Sequence, residues 1–208
     1  MVQISLHNAG KRFNKDWIFK DLNYRFEMGQ HYALIGNNGS GKSTLLQVIS
    51  GYASLSKGTI EWGSYDTNSI FKHISLAAPY LELIEEFTTI EQIEFHEKFK
   101  PLRSDISHSQ LIEMVGLKDA EKKQIRYFSS GMKQRLKLAL AIFSDTPILL
   151  LDEPCSNLDK EGYALYQKMM TTYAIHKLII IGSNDPQEYT FCNQHINLMD
   201  YKVAGNNS

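Results

Sequence analysis

Gly36-Asn37-Asn38-Gly39-Ser40-Gly41-Lys42-Ser43 follows the apolar run Tyr32-Ala33-Leu34-Ile35 and leads into Thr44-Leu45-Leu46-Gln47-Val48-Ile49, which reads as a helix. A strand, a glycine-rich turn, a lysine, a hydroxyl and then a helix make a phosphate-binding loop. Glycines at 36, 39 and 41 let backbone N–H groups converge on phosphate oxygens without Cβ clashes. The helix N-terminus adds positive dipole potential at the same place. Lys42 supplies a mobile charge for β- and γ-phosphates, and the Ser43 hydroxyl is placed to ligate Mg²⁺. Asn37, Asn38, Ser40 and Thr44 complete the candidate cradle. A glycine turn before a helix need bind nothing, but the strand, loop and helix in sequence make that the poorer account.

The chain has 208 residues, enough for one domain with a good core. Hydrophobic content of 43% and charged content of 22% are ordinary for a globular protein. A net charge of −1 gives no electrostatic case for nucleic acid, so none is expected as a partner. Cys155 and Cys192 are far from metal-ligand spacing and are expected as free thiols in a reducing cytosol. The mixed start Met1–His7 does not read as a signal peptide. The apolar runs around Ile148–Leu151 and Leu178–Ile181 fall far short of the roughly 20 residues that cross a bilayer.

Along the chain, Val2–Leu6, Tyr24–Phe26, Tyr32–Ile35 and Thr59–Trp62 read as strands. From about Pro79 to Arg126 the character becomes helical. Thr89-Ile90-Glu91-Gln92 and Ser107-His108-Ser109-Gln110 both have capping-box form, and Gly116 reads as a stop. A helix from about Met132 precedes the strand Ile148–Leu151, and a helix holding Leu165, Tyr166, Met169, Met170 and Tyr173 precedes the strand Leu178–Ile181. This alternation predicts an α/β fold with a mostly parallel sheet covered on both faces. The tail Asn206-Asn207-Ser208 is expected to fray.

Pro147-Ile148-Leu149-Leu150-Leu151-Asp152-Glu153-Pro154 is an aliphatic strand ending in two carboxylates. Parallel sheets bind ligands at the C-terminal edge of their strands. Asp152 is the natural Mg²⁺ partner of Ser43, and Glu153 is placed to orient or deprotonate an attacking water. Acidic residues also end strands as simple turn formers, but the phosphate loop upstream argues against that here.

With Phe128-Ser129-Ser130-Gly131-Met132-Lys133-Gln134-Arg135 added, the chain resembles the ATP-binding-cassette (ABC) ATPases over nearly its whole length. Ser129 and Gly131 match the telling positions of that family's signature, and Ser156-Asn157-Leu158-Asp159 matches its D-loop. Phe13 resembles the aromatic that stacks on adenine. The resemblance implies a single domain over 1–208 with a P-loop NTPase core (1–78 and 136–208), a β-rich N-terminal subdomain, and a helical subdomain (79–135) carrying the signature. It further implies ATP and Mg²⁺ as ligands. The partner it implies is a second cassette, expected as an identical copy, packed head to tail so that each ATP lies between one loop and the other chain's Ser129–Gly131.

Two residues depart from the family pattern. Pro79 stands where a glutamine is expected, and Asn184, in Ile181-Gly182-Ser183-Asn184, stands where a histidine contacts the γ-phosphate. His195 follows too late for that role and reads as structural. Losing one preorganised donor costs roughly a hundredfold to a thousandfold in rate. Since Asn184 keeps an amide donor and Lys42, Ser43, Asp152 and Glu153 are present, slow hydrolysis is expected. The resemblance implies the ATPase subunit of a transporter, peripheral on the cytoplasmic face of the membrane and serving a separate permease. The 128–135 segment is similar to exporter-type cassettes. Tyr80-Leu81-Glu82-Leu83-Ile84-Glu85-Glu86 is the candidate docking surface. The alternatives are a soluble regulator of the same family or a slow nucleotide-gated clamp.

Overall fold

The computed structural model describes residues 3–203, so Val2 of the first expected strand and the 206–208 tail lie outside the described residues. The aliphatic runs build a five-stranded sheet from β3 (His31–Ile35), β5 (Ile74–Ala77), β6 (Ile148–Asp152), β7 (Leu178–Gly182) and β8 (Gln194–Asn197). Their order is β5-β6-β7-β3-β8, and every pairing is parallel. All five residues of β6 and of β7 are buried, as expected of strands covered on both faces. Alternate residues serve opposite faces. Leu149, Leu151, Ile179 and Ile181 pack with α4 (Ser130–Phe143) and α5 (Lys160–Tyr173). Ile148, Leu150, Leu178 and Ile180 pack with α1 (Lys42–Ile49) and the N-terminal strands.

Those N-terminal strands are β1 (Gln3–Phe13), β2 (Asp16–Glu27) and β4 (Lys57–Glu61), in an antiparallel sheet ordered β2-β1-β4. β1 and β2 run far longer than their hydrophobic alternation predicts. The register shifts between Leu6 and Ala9, and Asn8 (φ 47°) and Asp21 (φ 56°) stand in the left-handed region. Asn23 bridges this irregularity, accepting from Asn8 N at 2.8 Å and donating to the Asp21 carbonyl at 3.1 Å. A bulge of this kind breaks the period-2 pattern while pairing continues.

Between β5 and β6 lie α2 (Thr89–Glu97), α3 (His108–Met114) and two short 3₁₀ turns, and α4 runs unbroken across residues 135 and 136. This middle region is less helical than expected, and Tyr80–Glu86 holds no helix. The Ser107–Gln110 capping box forms as read. The first box is shifted by one residue: Thr88 caps α2, with Glu91 reciprocating. Thr89 instead donates to the Ala120 carbonyl at 2.9 Å, and Gln92 accepts from Ile84 N at 2.9 Å. Both are tertiary bonds that local sequence does not announce. Gly116 (φ 64°) stops α3 as read. Cys155 and Cys192 are free and buried, and burial pushes the Cys192 thiol up to about 12. Among the described residues no helix is long and apolar enough to cross a membrane.

At the end of the sheet away from the phosphate loop, Ser144 joins a half-buried histidine and a buried lysine. Its hydroxyl donates to the Leu140 carbonyl at 2.6 Å and so accepts from His96 Nε2–H at 2.8 Å, while Lys177 Nζ donates to its carbonyl at 2.5 Å. Burial, aided by the Lys100 cation, pushes the His96 imidazole down to about 4. An unfolded histidine titrates near 6.5, so the unfolded chain binds the extra proton between those values. The folded state therefore loses stability as pH falls from about 6.5 toward 4, by up to about 3 kcal/mol. Urea midpoints across that range should fall for the native chain and flatten for His96→Gln; a native midpoint that stays level from pH 7 to 4.5 contradicts this assignment.

Candidate functional site

The strand order brings the C-terminal ends of β6, β7 and β3 side by side, with β7 in the middle. From β3 the chain enters the glycine loop. Gly41 (φ 105°) lies where a Cβ would stand 2.5 Å from Ile18 Cγ2, so both its backbone angle and its close approach to β2 require glycine. Gly41 also caps α1 without a side-chain bond, leaving first-turn N–H groups free for an anion. Lys42 is buried, and its Nζ donates to the Gly36 carbonyl at 2.7 Å, the Asn37 carbonyl at 3.4 Å and Asn184 Oδ1 at 2.8 Å. Burial holds its pKa below the usual lysine range, while Glu153 and Asp152 pull it back up.

Asp152 closes β6 at 2% exposure. Burial raises its carboxyl pKa, and the facing Ser43 hydroxyl opposes the rise. Its Oδ1 has no hydrogen-bond partner. A buried carboxylate oxygen left unmatched beside a hydroxyl is a hard-oxygen donor set of the kind that holds Mg²⁺, and these two residues fit that ion. Gly182, paired with Asp152 across the β6–β7 ladder, keeps the space open. A Cβ there would meet Leu46 Cδ1 at 3.1 Å, Asp152 Oδ1 at 3.2 Å and Lys42 Cβ at 3.3 Å.

Glu153 adopts a left-handed backbone (φ 44°), and its N–H donates to the Gly182 carbonyl at 2.8 Å. It shares a cleft of about 300 Å³ with Ile18, Asn38, Gly39, Gly41, Lys42, Ser43 and Thr44. The structure thus brings the loop, Asp152, Glu153 and Asn184 together. Asn184 has both ends of its amide engaged: Oδ1 accepts from Lys42, and Nδ2 donates to Asn38 Oδ1. Ser40 is fully buried beneath the loop.

Phe13, Ser129 and Gly131 are not brought to this cleft. Phe13 ends β1, half exposed, with Lys11 Nζ 5.1 Å above its ring. Ser129 caps α4 by accepting from Met132 N at 3.2 Å, and Gly131 faces the Asn157 carbonyl. Pro79 is exposed. His195 lies exposed in β8 with its ring against that of Tyr189, away from the cleft. Sequence reading missed Ile18 and Gly182. A glycine closing an otherwise aliphatic strand was the available signal for Gly182; nothing local marks Ile18. Tyr80 was also missed as a site neighbour: burial raises its pKa, and it hydrogen-bonds toward Gln47 with the Asp152 charge nearby.

A family model described as "ABC transporter" matches residues 19–156. The chain is 33% identical over 170 residues to an uncharacterized ABC transporter ATP-binding protein of Bacillus subtilis, YybJ, covering 80% of this chain and 78% of the relative. It is 28% identical over 191 residues to the lantibiotic transport ATP-binding protein SrtF of Streptococcus pyogenes, covering 87% and 79%. Its fold superposes on the dimeric structure of a bacterial ABC transporter cassette with a TM-score of 0.79, at 21% identity and with 93% of each chain covered.

Gly182→Ala tests the geometry between β6 and the loop. The added methyl pushes on Asp152 and Lys42, so affinity for a fluorescent ATP analogue in Mg²⁺ should fall about tenfold, the equivalent of ~1.4 kcal/mol of overpacking. Fluorescence titration with and without Mg²⁺ should place most of the loss in the Mg²⁺-dependent part; an unchanged titration refutes the role given to Gly182.

Proposed function

Since this chain belongs to the ABC transporter family, among its ATP-binding subunits, we propose that it works as a Mg²⁺-dependent ATPase whose cassettes close in pairs on ATP and drive a separate membrane permease. The observation that carries this reading is that Lys42, Ser43 and Glu153 line one cleft, with Asp152 beside Ser43 and its Oδ1 buried and unmatched. Lys42 exchanges its backbone carbonyls for phosphate oxygens, and the loop N–H groups hold the β-phosphate. Glu153 orients the attacking water and takes its proton. Ser43 and Asp152 would hold Mg²⁺, which would supply charge to stabilise the transferring phosphoryl group. Asn184 offers an amide N–H to the γ-phosphate, and the half-exposed face of Phe13 offers a platform for adenine.

Pairing rests on a physical shortfall. Ser129 and Gly131 stand at the exposed start of α4, a 14-residue helix whose N-terminus suits an anion. Within one chain they do not line the phosphate cleft. A second, identical chain turned head to tail supplies them. For the permease we assign the neighbourhood of Tyr80–Glu86, where Tyr80 and Leu81 are exposed and border an apolar groove of about 590 Å³ with Phe71 and Tyr52. That groove suits a short amphipathic segment of a membrane partner on the cytoplasmic side. Export is the direction we assign, on the likeness of residues 128–135 to exporter cassettes. Turnover is slow, because Pro79 cannot donate or ligate and Asn184 replaces an imidazole.

Steady-state ATP hydrolysis decides between a motor and a clamp. Glu153→Gln should reduce kcat by at least about a hundredfold while ATP still binds and promotes pairing, since general-base contributions run 10²–10⁴-fold. Equal turnover in both proteins would falsify the role of Glu153. Affinity purification from detergent-solubilised native membranes should recover a polytopic membrane protein in stoichiometric amount; recovery with ribosomes alone favours the soluble regulator.

A further inference from the structure

Glu153 sits on a turn that is costly to hold. Glu153 (φ 44°) and Asn157 (φ 65°) are both left-handed and neither is glycine; for the glutamate, unlike the asparagine, that backbone is unfavourable. The β6–β7 ladder stops at Asp152 and Gly182, and one further bond, Glu153 N–H to the Gly182 carbonyl, extends it. Pro154 then has no N–H to offer. The next donor, Cys155 N–H, meets a side chain: Glu188 Oε1, at 2.8 Å. Gln134 Nε2 holds the Pro154 carbonyl from the other side at 2.6 Å.

Glu188 is itself fixed. It is 5% exposed, its N–H donates to the Asp185 carbonyl at 3.0 Å, and its carbonyl accepts from the fully buried Tyr166 hydroxyl at 2.8 Å. It belongs to the 3₁₀ turn Pro186–Tyr189, directly after Asn184 and Asp185. One rigid piece of chain therefore carries the Asn184 amide that touches Lys42 and the carboxyl that stands in for a strand acceptor under the Glu153 turn. From this geometry we propose that Glu188 is a positioning residue for ATP hydrolysis, locking the turn that carries Glu153 to the segment that carries Asn184. The proposal rests on the reading of Glu153 as the residue that orients water. Glu188 Oε2 is buried without a partner. Burial raises the carboxyl pKa, the Ser183 hydroxyl and the Cys155 N–H oppose the rise, and the Asp185 and Glu153 charges add to it. Cys155 N–H needs an acceptor oxygen at this place, which a glutamine amide keeps and a methionine does not, so the two substitutions separate the acceptor from the rest of the side chain.

Three variants of the full chain test this. Glu188→Met keeps the volume and removes the acceptor; kcat should fall about 10–100-fold, as for a sub-ångström to 1 Å misplacement of a reacting group, with affinity for a fluorescent ATP analogue unchanged within about threefold. Amide hydrogen exchange over residues 153–158 should quicken while β6 stays protected. Glu188→Gln should restore both turnover and protection to within about threefold of the native chain. Tyr166→Phe, which frees the Glu188 carbonyl without emptying the site, should give a smaller fall in the same direction and serves if Glu188→Met does not fold. Native turnover and exchange in both Glu188→Met and Tyr166→Phe overturn the proposal, as does a Glu188→Gln protein no better than Glu188→Met. If Glu153→Gln leaves turnover unchanged, the role of Glu153 is lost, and the exchange comparison still judges the tether on its own.

Discussion

A lysine ammonium buried under its own loop must be satisfied from every side, because an uncompensated charge out of water costs several kcal/mol. Lys42 meets that demand with two carbonyls of its loop, the Asn184 amide oxygen, and the charges of Asp152 and Glu153 nearby. Those groups come from three different strand ends, and only one strand order lets them converge. With β7 between β6 and β3, the chain leaving β7 passes directly over the loop, and the carboxylates at the end of β6 lie one strand further away. The middle strand then has little room for a side chain at its end. Gly182 fits there, and its carbonyl anchors the Glu153 turn as well.

What could be read from the sequence is what depends on local pattern. The glycine loop, the aliphatic β6 with its terminal carboxylates, the Ser107 capping box and the Gly116 stop each carry their physics in a few adjacent residues, and all form as read. What could not be read depends on a partner distant in sequence. Thr88 rather than Thr89 caps α2 because the Thr89 hydroxyl is claimed by Ala120 and the Gln92 amide by Ile84. β1 and β2 continue through a bulge because Asn8 and Asn23 satisfy one another across it. The bond from Asn184 to Asn38 joins residues whose separation in sequence conceals that they are neighbours. Glu188 reads as one more surface acid until the fold buries it.

The same distinction separates the two halves of the phosphate site. The half built from the loop and the β6 carboxylates is preorganised within one chain, held by backbone geometry and a buried ladder. The half proposed for Ser129 and Gly131 stands at an exposed helix start that caps itself, and Gln134 of the same helix donates to the Pro154 carbonyl. The turn that carries Glu153 is thus tied both to α4, through Gln134, and to the segment after β7, through Glu188.

Asn184 gives this arrangement a character that an imidazole would not. A histidine in contact with Lys42 titrates near the physiological range and carries a charge that repels the ammonium when protonated. An amide does not titrate, and here its orientation is dictated: Lys42 is a donor only, so the oxygen must face it, and the nitrogen must face Asn38 Oδ1. One N–H remains for a phosphate oxygen. The substitution thus exchanges a stronger, switchable donor for a weaker one whose direction is fixed by the loop it serves. Since Asn38 belongs to that loop, the Asn184 amide is held by the same backbone that forms the proposed phosphate cradle.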